Sequence, residues 1–217
     1  NGETVRTKIL ERLRNDQVIA IVSDAGTPLI SDPGYKLVRE ARDEVFAVYT
    51  VPGPCAAIAG LSVAGAPTDR FMFAGFLPAK THARRKALTD LGSVRTTLVL
   101  YETGPRLIEA LQDIEAVLGE RKVAVARELT KLHEELRSDT TQKLIAHYKN
   151  AGPPRGEIVL ITHQAEDENW TEAQLTKLLS DLLTEHSVKD AASMAAEETG
   201  MARKALYNIA LALKKHG

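Results

Sequence analysis

The sequence has one cysteine, one tryptophan and only 5% aromatic residues in 217 positions. The lone thiol, Cys55, excludes an intrachain disulfide and argues against a cysteine-based metal site. The six histidines, at positions 82, 133, 147, 163, 186 and 216, are scattered without metal-ligand spacing, so no metal is expected. Charge of one sign is also lacking. Lys and Arg total 28 and Asp and Glu total 29, a net charge of −1. No global field therefore recruits nucleic acid, and any such surface must be local. No apolar run approaches the roughly 20 residues of a membrane span, and no signal peptide is visible. These features fit a cytoplasmic protein. What is present is ordinary core material, 44% hydrophobic residues, enough for one large domain or two small ones. The first residue is Asn rather than Met, so further chain upstream is expected.

Two proline-glycine loops stand out. Ser23-Asp24-Ala25-Gly26-Thr27-Pro28-Leu29-Ile30-Ser31-Asp32-Pro33-Gly34 follows an apolar run, 18–22, and Val51-Pro52-Gly53-Pro54-Cys55-Ala56-Ala57 follows another, 45–49. Both runs read as parallel-type strands (17–23 and 45–50), and each loop leads into a helix. Loops at the carboxyl ends of strands in an open α/β sheet are where ligands bind. Helix periodicity covers 3–13, and a pattern break at Gly65-Ala66-Pro67-Thr68-Asp69 suggests a domain boundary. Beyond it, strands are expected at 71–76, 96–101, 123–126, 132–138 and 157–162, with helices at 80–91, 105–118 and up to 149. That pattern predicts a mixed sheet with helices. The predicted organisation is a partial N-terminal α/β lobe (1–66), a second α/β lobe (67–163), and an acidic linker with a helical tail (164–217). The tail contains a solvated helix, then a helix pair turned at Gly200 that resembles a helix-turn-helix.

The first loop combines backbone amides with acidic acceptors, as an adenosine-type ligand requires, although a tight turn with Asp caps has the same composition. The second sets a helix N-terminus and small side chains beside it; a packing role is the bland reading. Between 80 and 95, Lys80, Arg84, Arg85, Lys86 and Arg95 oppose only Asp90. Such a stretch can hold phosphates or be a solvated face. Cys55 reads as a small buried residue rather than a nucleophile. Charged residues at strand ends, Tyr101-Glu102 and Arg127-Glu128-Leu129-Thr130-Lys131, supply acid/base candidates that spacing alone does not separate.

In order along the chain, these motifs resemble the tetrapyrrole-methylase fold, a two-domain family dependent on S-adenosylmethionine. Asp69-Arg70-Phe71, Gly75-Phe76-Leu77-Pro78-Ala79-Lys80, Tyr101-Glu102, Ala126-Arg127-Glu128-Leu129-Thr130-Lys131, Gly156-Glu157 and Lys204-Ala205-Leu206-Tyr207 narrow the resemblance to the ribosomal RNA small subunit methyltransferase I family. The resemblance implies a two-lobed α/β fold with a truncated parallel N-terminal sheet, a mixed C-terminal sheet and a C-terminal helical module. It implies 2′-O-methylation of a cytidine in the decoding region of 16S rRNA, a homodimer, and the small ribosomal subunit as partner. It places S-adenosyl-L-methionine in the cleft between lobes, against Ser23, Asp24, Ala25, Gly26, Thr27, Pro28, Asp32, Pro52, Gly53, Pro54, Cys55 and Ala56. Catalytic candidates are Glu102, Glu128 and Lys131, the last only if its pKa is depressed. RNA-binding candidates are Lys80, Arg84, Arg85, Lys86, Arg106, Arg203 and Lys204. Two departures stand against the family pattern. An upstream strand with a Gly-Asn loop and a Glu-Asp-Thr-Arg motif are absent. The usual Tyr-Glu-Ser-Pro-His-Arg reads Tyr101-Glu102-Thr103-Gly104-Pro105-Arg106, with Pro105 at the His position. The alternatives are a methyltransferase acting on a small tetrapyrrole and an inactive fragment or RNA-binding module.

Overall fold

The computed structural model describes residues 2–164 and 170–216. The chain divides into two compact units, Asn1–Gln164 and Ala165–Gly217. The first contains helices α1 (Gly2–Arg14), α2 (Tyr35–Asp43) and α3 (Ala56–Val63). These are followed by β1 (Phe71–Phe76), α4 (Thr81–Gly92), β2 (Thr97–Thr103), α5 (Gly104–Leu118), β3 (Lys122–Arg127), β4 (Glu135–Thr140), α6 (Thr141–Ala151) and β5 (Glu157–Thr162). The strands form a mixed five-stranded sheet in the order β1-β2-β5-β3-β4. β1 pairs parallel with β2, while β5 runs antiparallel to both β2 and β3. The carboxyl ends of β1, β2 and β3 therefore share one edge.

Both faces of this sheet are covered, which is why its central strands are apolar without alternation. On one face Leu100, Val123, Val125, Ile158 and Leu160 meet Leu88 of α4, Leu107, Leu111 and Ile114 of α5, and Leu144 and Tyr148 of α6. On the other, Val99, Ala124, Ala126, Val159 and Ile161 meet Ala57 and Leu61 of α3. Each large apolar side chain so buried contributes about 1.5–3 kcal/mol. α3 approaches closely because it is built from small residues: a Cβ on Gly60 would lie 3.2 Å from the Val159 side chain. α5 starts with Pro105 in its first turn, where its missing N–H costs nothing.

Residues 17–23 and 45–50, expected as strands, form no ladder; the sheet contains none of them. Val18 is 98% exposed, Val45 90% and Tyr49 89%. Apolar sequence supplies a strand with a face to bury, but its backbone N–H and C=O groups still need neighbouring strands, and among the described residues none flanks these segments. α1 and α2 instead form a small cluster around Leu10, Leu37 and Ala41. An Arg6–Glu40 ion pair at 3.0 Å joins the two helices. Because α3 packs on β2 and β5, residues 1–66 and 67–163 lie in one compact unit.

The second unit is a three-helix cluster of α7 (Glu172–Leu183), α8 (Val188–Thr199) and α9 (Arg203–His216). α7, read from its charges as a solvated helix, buries Leu175 and Leu179 against Ala192, Ala195, Leu206 and Ala210. Its i, i+4 leucines, not its acids, decide its place. Thr171 and Gln174 form a capping box at its start. Gly200, at φ 68°, turns α8 into α9. The linker acids Glu166, Asp167 and Glu168 lie outside the described residues. No helix among the described residues is long and apolar enough to cross a membrane.

Candidate active site at the carboxyl edge of the sheet

The two proline-glycine loops meet. The Thr27 hydroxyl donates to the Pro54 carbonyl at 3.0 Å, and Ser23 Oγ closes the first loop on the Gly26 carbonyl at 3.0 Å. Gly26 adopts φ 70° there, and Leu29 and Ser31 take the left-handed region at 72° and 59° despite their side chains. Such local strain persists only where surrounding structure holds it, and it concentrates at ligand sites. The first loop also touches β1: Ser31 Oγ lies 3.0 Å from where a Cβ on Gly75 would stand. Gly75, at φ 64°, marks a bulge in the β1–β2 register.

That bulge shapes an aromatic wall. In a regular strand Phe73 and Phe76, three apart, would face opposite sides. Here both rings pack on Tyr101, with centroids at 4.9 and 5.5 Å. The Tyr101 hydroxyl lies beside Cys55 and the Ala57 amide at the start of α3. Burial and then the Cys55 sulfur push this phenol above its ordinary value, the Ala57 amide opposing. Cys55 provides no side-chain cap, and with the Ala57 amide turned to Tyr101 the other first-turn amides of α3 remain available to an anion. In sequence Tyr101 stands out only with Glu102 as an acid/base candidate; its place in an aromatic wall, and the β1 bulge that builds it, do not. The Gly-Phe at 75–76 was the available signal.

The three catalytic candidates separate. Glu102 alternates away from Tyr101 and faces α4 and α5. It is 2% exposed, its Oε1 accepts from the Thr103 amide at 2.8 Å, and Arg106 Nε stands 3.3 Å from it. Its Oε2 is buried without a hydrogen-bond partner among the described residues. Burial raises its pKa, and the Thr103 amide and Arg106 only partly offset that. Glu128 and Lys131 come together at the end of β3. Glu128 Oε1 accepts from Lys131 Nζ at 3.2 Å and from the Glu157 amide at 3.0 Å, and Lys131 also reaches Glu157 Oε2 at 3.3 Å. The Glu157 amide, then Lys131, hold the Glu128 carboxyl below its usual range. Lys131, between two carboxylates, is raised. A depressed Lys131, the condition for its service as a base, is therefore the reverse of what the geometry produces. Glu128 lies over Gly156, where a Cβ would come within 2.4 Å of its carboxylate.

The basic stretch also divides. Arg84, expected to face RNA, is 1% exposed. Its guanidinium donates to Asp113 at 2.6 Å, the Ala79 carbonyl at 3.0 Å and Glu109 at 3.2 Å. It is an interior clamp between α4 and α5, out of reach of a phosphate. A carboxylate 29 residues away captured it, which local charge counting does not reveal. Arg85 shares Asp113 at 2.6 Å while staying half-exposed. Arg106 donates to the Leu77 carbonyl at 2.6 Å. Lys80 and Lys86 are exposed. Arg203 and Lys204 open α9 in the second unit, both exposed.

Comparison with known proteins places this arrangement. Residues 1–145 match the profile described as Tetrapyrrole (Corrin/Porphyrin) Methylases, and residues 171–214 match that of the RsmI C-terminal HTH domain. The chain is 46% identical over 215 residues to the Ribosomal RNA small subunit methyltransferase I of Mesorhizobium japonicum, covering 99% of this chain and 73% of that relative. The methyltransferase CobJ has the same fold, with a TM-score of 0.54 at 19% identity over 74% of this chain and 70% of its own. So does a Thermus thermophilus uroporphyrin-III C-methyltransferase complexed with S-adenosyl homocysteine (TM-score 0.50, 17% identity, 74% of this chain and 72% of its own). The paired proline-glycine loops, the mixed sheet and the helical module are thus those of a known lineage, and the chain belongs to the ribosomal RNA small subunit methyltransferase I family of the tetrapyrrole methylases.

Proposed function

We propose that this chain methylates the ribose 2′-hydroxyl of a cytidine in the decoding region of 16S rRNA, with S-adenosylmethionine as donor. The observation that carries the reading is the Thr27–Pro54 contact, which joins the two loops beside Tyr101. The cradle suits such a donor. Uncapped α3 amides meet a carboxylate, exposed Asp24 and Asp32 are acceptors for hydroxyl or ammonium groups, and Phe73, Phe76 and Tyr101 offer an apolar flank. Ser23, Ala25, Gly26, Thr27, Pro28, Pro52, Gly53, Pro54, Cys55 and Ala56 complete its outline.

S-adenosylmethionine, when bound, supplies an electrophilic methyl group on a sulfonium sulfur. The residues of this chain align the ribose oxygen and keep water out, where most of the acceleration of an in-line transfer lies. Glu128 is the proton acceptor best placed on this side of the sheet; its low pKa keeps it ionised. Lys131 stays protonated and orients Glu128 and Glu157. Glu102, across the sheet, positions Arg106 at the start of α5. Lys80, Arg85, Lys86 and Arg106 are the phosphate contacts of the first unit. A cytoplasmic homodimer completes the reading, favoured by the exposed apolar side chains of Val18, Val22, Val45 and Tyr49. The test incubates the chain with small ribosomal subunits and S-adenosylmethionine, then maps 2′-O-methylation by resistance of the RNA to alkaline cleavage. One protected cytidine linkage is expected. Methyl transfer to a base, or to a porphyrinoid in place of RNA, would overturn the reading.

A further inference from the structure

The second unit contains a site that the methyl-transfer reading does not require. Lys189 at the start of α8 and Arg203, Lys204 and Tyr207 in the first turns of α9 line one open depression of about 420 Å³. All four are exposed. Their setting differs from that of most cations near the sheet. Arg84, Arg85, Arg106, Arg127 and Lys131 are each bound to a carboxylate. Lys189, Arg203 and Lys204 form no ion pair with a described residue. The one acid next to them in sequence, Asp190, accepts from the Ser187 hydroxyl at 2.7 Å. α9 itself contains no acidic residue. Helix spacing explains the arrangement. Leu206, Ile209, Ala210 and Leu213 pack on the three-helix core, while Arg203 and Tyr207, neighbours at i, i+4, run along the exposed border of that stripe and Lys204 lies farther round the helix.

Three unneutralised cations around an accessible phenol ring match the chemistry of unpaired nucleic acid. An aromatic face takes a base by stacking, and the cations take the phosphates on either side. A duplex hides its base faces and leaves the ring without a partner. We propose that this depression is a single-stranded RNA subsite, in which Tyr207 stacks one base and Lys189, Arg203 and Lys204 hold the flanking phosphates. It deepens the rRNA reading by giving the helical module its own grip on an unpaired segment of substrate, and it rests on that reading for the choice of RNA.

The test uses the full chain and a short single-stranded RNA with one 2-aminopurine, without methyl donor. Affinity is read by anisotropy and stacking by quenching of 2-aminopurine fluorescence. Tyr207→Ala is expected to weaken binding about tenfold and abolish the quenching, the loss that one unstacked base produces at such sites. Tyr207→Phe should retain both. Lys189→Gln, Arg203→Gln and Lys204→Gln should each lower the slope of log affinity against log salt by about 0.7. All these side chains lie outside the core, and circular dichroism checks that each variant keeps its helices. Unchanged affinity and quenching in Tyr207→Ala would overturn the proposal. So would tighter binding of duplex RNA or duplex DNA of the same sequence. Binding that follows this pattern, from a chain that transfers no methyl group when S-adenosylmethionine and small ribosomal subunits are supplied in the separate assay, would defeat the functional reading alone. Methylated rRNA from a chain whose RNA binding ignores Tyr207 would defeat the subsite alone.

Discussion

Val18-Ile19-Ala20-Ile21-Val22 and Leu98-Val99-Leu100-Tyr101 are both short apolar runs a few residues after a helix. The first has Val18 at 98% and Val22 at 86% exposure; the second has Leu98, Val99 and Leu100 at 2% or less. Intrinsic preference does not separate them, since the exposed run is the richer in β-branched residues. Partners do. Leu98 to Tyr101 are paired with β1 on one side, across the bulge at Gly75, and Leu98 to Thr103 with β5 on the other. They are then covered by α5 and α3 on the two faces. The lesson concerns where strand stability resides. It is a property of ladders and layers, and an apolar run is only a candidate for membership.

The contrast breaks most severely at the sheet's own edge. Gly104 starts α5, and a Cβ there would sit 1.6 Å from the Pro154 carbonyl oxygen. Neither partner is the yielding end of a side chain. Gly104→Ala should therefore dislodge the turn before β5 and cost the first unit its cooperative fold, seen as loss of the thermal transition and of soluble yield. Next in size is Arg84→Met. Removing the guanidinium strands Asp113 in the interior with only Arg85 for company, at a cost of about 3 kcal/mol. Lys86→Gln, two positions on and exposed, should stay within about 0.5 kcal/mol in the same urea titration. Equal effects would show that Arg84 is solvated after all.

A smaller effect distinguishes the two glutamates. Burial raises Glu102, so the folded state holds its proton more tightly than the unfolded chain. Its contribution favours folding at low pH and fades as pH rises through that elevated value. Glu128 is lowered, so its contribution is present above the ordinary carboxylate range and is lost as pH falls through the depressed value. On acidification, carbon-13 NMR of the side-chain carboxyls should see Glu102 protonate before Glu128. Glu102→Gln should flatten the fall in stability just above the usual glutamate pKa. The reverse order of titration would mean that the two environments have been assigned to the wrong residues.

Much of this architecture is readable from pattern. The bounds of β1 and β5 follow from the apolar runs 71–76 and 157–162, and α4 through α6 from their spacing and turns. What pattern omits are long-range captures. Nothing local tells that Asp113 will claim Arg84, that a bulge at Gly75 will turn Phe76 toward Tyr101, or which of the alternating pair Tyr101 and Glu102 will take the loop side. The two loops were visible by composition; their contact through Thr27 and Pro54 depends on the fold.

The smallest predicted effect tests the comparison at its weak end. Val18→Thr and Val45→Thr exchange a methyl group for a hydroxyl at side chains 98% and 90% exposed. In the interior this change strands a polar group and costs on the order of 1–3 kcal/mol. At an exposed, unladdered position there is nothing to strand, so each variant should unfold within about 0.5 kcal/mol of the parent. Val99→Thr, chemically the same change on the covered strand, supplies the internal standard and should show the full loss. Urea titrations of the three variants at several protein concentrations decide the matter. A loss above about 1 kcal/mol at Val18 or Val45 that grows with concentration would show that these runs are buried between copies of the chain in solution. A loss independent of concentration would show that they pair within the chain, and partners would no longer be what separates the two runs.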